Sequence, residues 1–289
     1  MLWPVAGEPY KDWIAHNFVD LDPEAGMVLD YMGSTGVMAQ TYDGHNGVDV
    51  DIASFRLMDK DFPVLASADG IVSETYASSF DRNLGGTIEN CSKEKANFVK
   101  LKHANGYTTL YAHLKKDSIP VVVGQQVKAG QVLGVVGSSG CSTGPHIHLE
   151  TFDCNGVLRD PMKERMFLNP PIYTLLAPTT IMDTFIHQPS FTDVKQLQDP
   201  EPEPKTVQAG TNFSVGFALA NVKVGDKLHI DIYEPNGTLQ KFNFDAESKN
   251  FFAMSHWWMD LNLGRFGAWR FDFQVNGKTQ TTRTITVIP

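Results

Sequence analysis

The sequence predicts an all-β chain, with an antiparallel β-sheet domain at residues 41–168 and an immunoglobulin-like β-sandwich at 169–289. Three observations carry this. Short runs of alternating apolar and polar residues recur along the chain, the mark of half-buried strands. Turn dipeptides separate them, among them Asp43-Gly44, Asn46-Gly47, Asn105-Gly106 and Asn276-Gly277. No long amphipathic helical pattern appears between residues 41 and 152.

Residues 1–40 are mixed in pattern and are set apart as an N-terminal segment. Val48-Asp49-Val50-Asp51-Ile52 alternates as a strand, and Phe62–Ala66 and Gly70–Val72 continue the rhythm. Residues 76–97 are polar, contain Cys91, and read as a long hairpin excursion. Asn97–His103 and Tyr107–His113 form a hairpin about Asn105-Gly106. Val127–Gly137 reads as strand, turn, strand; a polar loop, Ser138–Gly144, then leads into the strand Pro145–Thr151. Asn169-Pro170-Pro171 marks a boundary, and the proline-rich stretch near 199–204 is extended. Beyond it Lys227–Tyr233 and Trp269–Val275 alternate cleanly, and short strands with turns between them suggest the sandwich.

At 289 residues the chain has room for one large domain or two, and 42% apolar with 20% charged residues is a globular composition. A net charge of -9 and a pI of ≈ 5.4 argue against a nucleic-acid partner. No apolar run reaches the roughly 18 residues of a membrane span. The N-terminus lacks the charged start and apolar core of a signal peptide, so the chain is either cytoplasmic or a mature form without its leader. The three cysteines, Cys91, Cys141 and Cys154, allow one disulfide or none. A bridge at Cys141 would brace the segment before His146.

The residues that carry chemistry fall in three segments: His45-Asn46-Gly47-Val48-Asp49, Tyr111-Ala112-His113 and His146-Ile147-His148. In a strand, residues i and i+2 share a face, so His146 and His148 present two imidazoles side by side. A catalytic zinc site takes three protein ligands, and His45 and Asp49 can supply the rest, leaving one histidine free. Each motif alone is ordinarily a pair of surface side chains. Together they place five polar groups on neighbouring elements. Glu150 shares the strand face of His146 and His148 and reads either as a hydrogen-bond partner of a ligand or as a strand-end carboxylate. Tyr111 shares a strand face with His113 and could donate to an oxyanion. Asp51 alternates with Asp49, but the spacing favours Asp49. His16, His187, His229 and His256 show no partner pattern. His256-Trp257-Trp258 suits core packing better than ligand stacking.

These segments, with Gly44–Asp49, Tyr107–Leu114, the spacer Val127–Gln131 and Ser142–Glu150, resemble the lysostaphin or LytM-type zinc metallopeptidases over roughly residues 40–165. The resemblance implies one zinc ion per chain, held by His45, Asp49 and His148, with His113 and His146 as catalytic histidines beside it. It implies an endopeptidase acting on peptidoglycan cross-links or glycine-rich peptides, secreted or periplasmic, and expected to be a monomer. Family members that only bind or activate other proteins typically lack several of these five residues, and all five are present. The readings that compete are a silent peptidoglycan-binding or hydrolase-activating protein that keeps the metal site, and a zinc hydrolase acting on another bond.

Overall fold

The structure, a computed structural model, describes residues 1–289 apart from 86–90, 92, 93, 194, 200 and 201. The excursion at 76–97 and the proline-rich stretch at 199–204 therefore lie partly outside the described residues. The chain separates into two compact units: Met1–Pro9 with Trp13–Thr174, and Tyr10–Asp12 with Leu175–Pro289. In both, the regular elements are almost all strands.

The first unit contains β1 (Ile14–His16), β2 (Val48–Asp51), β3 (Pro63–Leu65), β4 (Gly70–Tyr76), β5 (Phe98–Lys102), β6 (Thr108–Ala112), β7 (Gln126–Val127), β8 (Val132–Val135), β9 (His146–Phe152) and β10 (Leu158–Arg159). A single helical turn, α1 (Phe55–Met58), begins at Ser54, whose hydroxyl accepts the Leu57 N–H. The main sheet runs β1-β2-β9-β6-β5-β4-β7, with β10 beside β9 and β3 paired with β8 separately. Its pairings are antiparallel.

Register explains why one sequence yields two unlike faces. Val48 lies opposite Leu149 and Val50 opposite Ile147, while Tyr111 faces Leu149 and Val99. These six apolar side chains are fully buried on one face. The pleat sends their neighbours to the other side. There Asp49 lies opposite His148, and Asp51 opposite His146. The apolar half of the alternation anchors the sheet, and the polar half is displayed as a row of metal-ligand types.

β1 comes from the N-terminal segment and extends this sheet, pairing His16 with Asp49 and Ile14 with Asp51. Cys91 and Cys141 are joined as a disulfide, and Cys154 is free and exposed.

The second unit contains β11 (Thr180–His187), β12 (Thr206–Gln208), β13 (Asn212–Val222), β14 (Lys227–Tyr233), β15 (Phe244–Glu247), β16 (Phe252–Asn262), β17 (Gly267–Val275), β18 (Lys278–Ile288) and a helical turn, α2 (Lys195–Gln198). One sheet runs β11-β13-β16 and the other β12-β18-β17-β14-β15. Phe213, Val215 and Phe217 of β13 share one apolar core with Leu228, Ile230 and Ile232 of β14 and Phe271 and Phe273 of β17. Two sheets closing on one core make a sandwich. β12 departs from the antiparallel pattern, pairing parallel with β18. Trp257 packs on the sandwich core, while Trp258 packs on the small cluster of Phe185, Phe191 and Leu197, so both tryptophans serve packing.

Candidate metal centre

His45 sits in the turn that enters β2 and is 3% exposed. Its Nδ1–H donates to the Phe18 carbonyl at 2.9 Å. That bond fixes the tautomer and leaves the Nε2 lone pair facing inward. Nε2 lies 3.2 Å from His148 Nδ1 and 3.3 Å from Asp49 Oδ1, and His148 Nδ1 lies 2.8 Å from the same oxygen. Three donor atoms so spaced fit one face of a tetrahedron around an ion with bonds of about 2 Å, and two imidazoles with one carboxylate suit a borderline-soft divalent metal. His45, Asp49 and His148 form a group able to hold a metal ion.

The electrostatics agree. Burial opposes charge on Asp49, yet the hydrogen bond from His148 and the closeness of His45 and His146 hold its carboxyl well below the usual range. Burial also opposes the cation on His148, but hydrogen bonds to Asp49 and Glu150 lift it to about 9. The site is thus anionic enough to retain a proton where a metal cation would bind. The other nitrogen of His148, Nε2, lies 3.3 Å from Glu150 Oε1, which also accepts from the Asn46 amide at 3.4 Å. Glu150 therefore stands as a partner of His148.

His113 and His146 lie beside this group with their rings 4.4 Å apart, and His113 is 5.8 Å from the His148 ring. His113 Nδ1–H donates to the Ser139 carbonyl at 2.7 Å, and His146 Nδ1–H to the Gly144 carbonyl at 2.8 Å. Both rings are left with a free Nε2. Burial, with His146 and His148 close by, pushes His113 down to about 3, so its imidazole is neutral.

Tyr111 is a correction to the reading from sequence. Strand alternation puts it on the face of His113, but β6 ends at Ala112 and His113 takes a left-handed φ of 63°. That turn swings His113 to the face of His148 and leaves Tyr111 behind in the core. The Tyr111 hydroxyl accepts from the Ser67 N–H at 2.8 Å and from the Thr109 hydroxyl at 3.2 Å, and the residue is 0% exposed. It does not reach the metal group.

Sequence reasoning also missed residues that the structure brings in. His16 Nδ1 lies 2.7 Å from Asp51 Oδ2. The Asn17 amide donates to Asp49 Oδ2 at 3.2 Å. The ring of Tyr42 lies 4.4 Å from that of His45, half-exposed at the rim. The carbonyls of Phe18, Ser139 and Gly144 carry no residue signature. The alternation of Asp49 and Asp51 was the only pattern that could have pointed to the His16 pair.

Residues 43–161 match the model of Peptidase family M23. Over 99 residues, 34% of this chain, it is 33% identical to the peptidoglycan DD-endopeptidase ShyC of Vibrio cholerae. Over 88 residues, 30% of the chain, it is 43% identical to the DD-carboxypeptidase/endopeptidase Mpg of Neisseria meningitidis. These matches span 19% and 16% of those two relatives. Among solved structures, the catalytic domain of the antimicrobial peptidase lysostaphin from Staphylococcus simulans is 25% identical with a TM-score of 0.32, covering 53% of this chain and 90% of that one. The histidine and aspartate motifs fall inside the matched stretch, and residues 43–161 of this chain are a domain of Peptidase family M23.

Proposed function

We propose that this chain is a zinc-dependent endopeptidase that hydrolyses peptide bonds in peptidoglycan cross-links or glycine-rich peptides. One observation carries the reading. His45, Asp49 and His148 converge their donor atoms beside two histidines whose Nδ1 positions are both occupied by carbonyls. The relative named as a peptidoglycan DD-endopeptidase supports the substrate class. A cell-wall substrate places the enzyme outside the cytoplasm. No helix among the described residues is long and apolar enough to cross a membrane.

Zinc held by His45, Asp49 and His148 would supply Lewis-acid polarisation and a nucleophile from water near neutral pH. The chain supplies the rest. Neutral His113 offers Nε2 as an acceptor that orients the attacking water. His146 Nε2 stands beside it, placed to accept the proton or to return it to the leaving amine. Glu150 accepts from His148 Nε2 and so holds that ring in place, while Asp49 is kept anionic.

The test is hydrolysis of purified peptidoglycan and of pentaglycine by wild type, by His113→Ala, and by metal-stripped protein before and after zinc is restored. Wild type should cut, the His113→Ala variant should lose about 10²–10⁴ in rate, and zinc should restore the stripped protein. Stoichiometric zinc binding without hydrolysis of either substrate would overturn the peptidase reading.

A further inference from the structure

Three consecutive residues of the N-terminal segment each meet the site face of the sheet. His16 pairs with Asp51, the Asn17 amide holds Asp49, and the Phe18 carbonyl holds His45. All three precede the stretch that matches the family model, which begins at residue 43. The segment is clasped to β2 by backbone as well, since the Asp49 N–H donates to the Asn17 carbonyl at 3.1 Å.

We propose that Asn17 is a positioning residue for the metal centre, holding Asp49 as a ligand through one oxygen only. The inference rests on the reading of Asp49 as a metal ligand. Its two carboxylate oxygens have different company. Oδ1 faces His148 Nδ1 and His45 Nε2, at 2.8 and 3.3 Å. Oδ2 accepts from Asn17 Nδ2 at 3.2 Å. A carboxylate without that anchor can rotate until both oxygens bind the ion. Zinc in a catalytic site keeps three protein ligands and one open position, and a second carboxylate oxygen would fill it. Asn17 therefore keeps that position free for water or substrate.

The backbone explains why asparagine stands here. Asn17 has a φ of 51°, in the left-handed region. Asparagine is among the few residues besides glycine that adopt it readily. It can therefore serve both the turn out of β1 and the hydrogen bond to Asp49. Phe18 is fixed in turn by the rings of Tyr31 and Tyr173, at 4.7 and 6.0 Å, so its carbonyl is rigidly aimed at His45.

The test uses the full chain with Asn17→Gly, which keeps the left-handed turn, and Asn17→Asp, which keeps the shape but removes the donor. Zn²⁺ affinity is measured by chelator competition, and Co²⁺-loaded protein by its visible absorption. Both variants should lose about 10–100-fold in Zn²⁺ affinity. Their Co²⁺ bands should weaken as coordination rises above four, while the melting point of the metal-free protein changes little. Wild-type affinity and spectrum in both variants would overturn the proposal. So would a loss confined to Asn17→Gly, which would assign the effect to the backbone. Asp49→Ala separates the two levels of inference. If it still binds Zn²⁺ like wild type, the metal-centre reading fails; if it does not, while both Asn17 variants do, only the role of Asn17 fails.

Discussion

The Nδ1–H of His113 donates to the carbonyl of Ser139 across 2.7 Å, and this contact decides which nitrogen of the ring faces the metal group. Ser139 belongs to the loop Ser138–Gly144, whose far end also holds His146 through the Gly144 carbonyl. One loop thus sets the tautomers of both histidines. It is fixed by the Ser138 and Ser142 hydroxyls, 2.7 Å apart, by the Asn97 N–H donating to Ser139 Oγ at 2.9 Å, and by the Cys91–Cys141 disulfide.

Cutting that disulfide should therefore affect catalysis and leave the metal in place. Cys141→Ser, or wild type after thiol reduction, is expected to lose about 10–100-fold in kcat, since a small misplacement of a catalytic group is costly. Zinc affinity should hold, because His45, Asp49 and His148 lie outside the loop. Steady-state kinetics with a parallel zinc titration would decide it. A fall in zinc affinity equal to the fall in kcat would refute this division of labour.

Gly47 stands between His45 and Asp49, the two proposed ligands, because nothing larger fits. A Cβ there would sit 2.5 Å from His148 Cε1, 2.6 Å from its Nε2 and 2.8 Å from the Leu149 carbonyl. Gly47→Ala must displace the His148 ring or the strand that carries it. Zn²⁺ affinity should fall by roughly tenfold or more, with far-ultraviolet dichroism unchanged. Affinity equal to wild type by calorimetric titration would show that the ring is free to move.

What the sequence made legible follows from periodicity. The strand Lys227–Tyr233 is read residue for residue because Leu228, Ile230 and Ile232 turn inward and His229 and Asp231 outward. The same period placed His146 and His148 on one face. Three things lay beyond it. Phe18, Ser139 and Gly144 act through backbone carbonyls, which are the same in every residue. His113 escapes strand alternation through its backbone angle, which no side-chain pattern announces. His16 meets Asp51 only through the register of β1 on β2, a pairing far apart in sequence.

The placement of Tyr111 leads to a sharp separation of stability from activity. Tyr111→Phe removes the acceptor of the buried Ser67 N–H. That should cost about 1–3 kcal/mol of stability, the penalty for an unsatisfied buried donor. Hydrolysis per folded molecule should stay near wild type. An oxyanion donor would instead be worth about 10²–10³ in kcat. Thermal melting and kinetics on the same preparation distinguish the two, and a large kcat loss without a melting shift would restore the catalytic role.

Asp160 gives stability an unusual pH dependence. Its Oδ1 accepts the N–H groups of Met162 at 2.7 Å and Lys163 at 3.2 Å, while Oδ2 is buried with no hydrogen-bond partner among the described residues. Burial outweighs those two hydrogen bonds and raises the carboxyl above its ordinary value of 3.8. A group raised on folding favours the folded state while it is protonated. Its contribution is fully present below the unfolded value and is lost as pH rises through the folded one. Asp160→Asn keeps the acceptor at Oδ1 and removes the buried charge, which is costlier to bury than a neutral amide. The variant should therefore melt above wild type at neutral pH, and the gap should close as pH falls towards 3.8. Melting curves across that range test the sign directly. A variant that melts below wild type at neutral pH would mean that the Oδ2 charge is solvated or paired in solution.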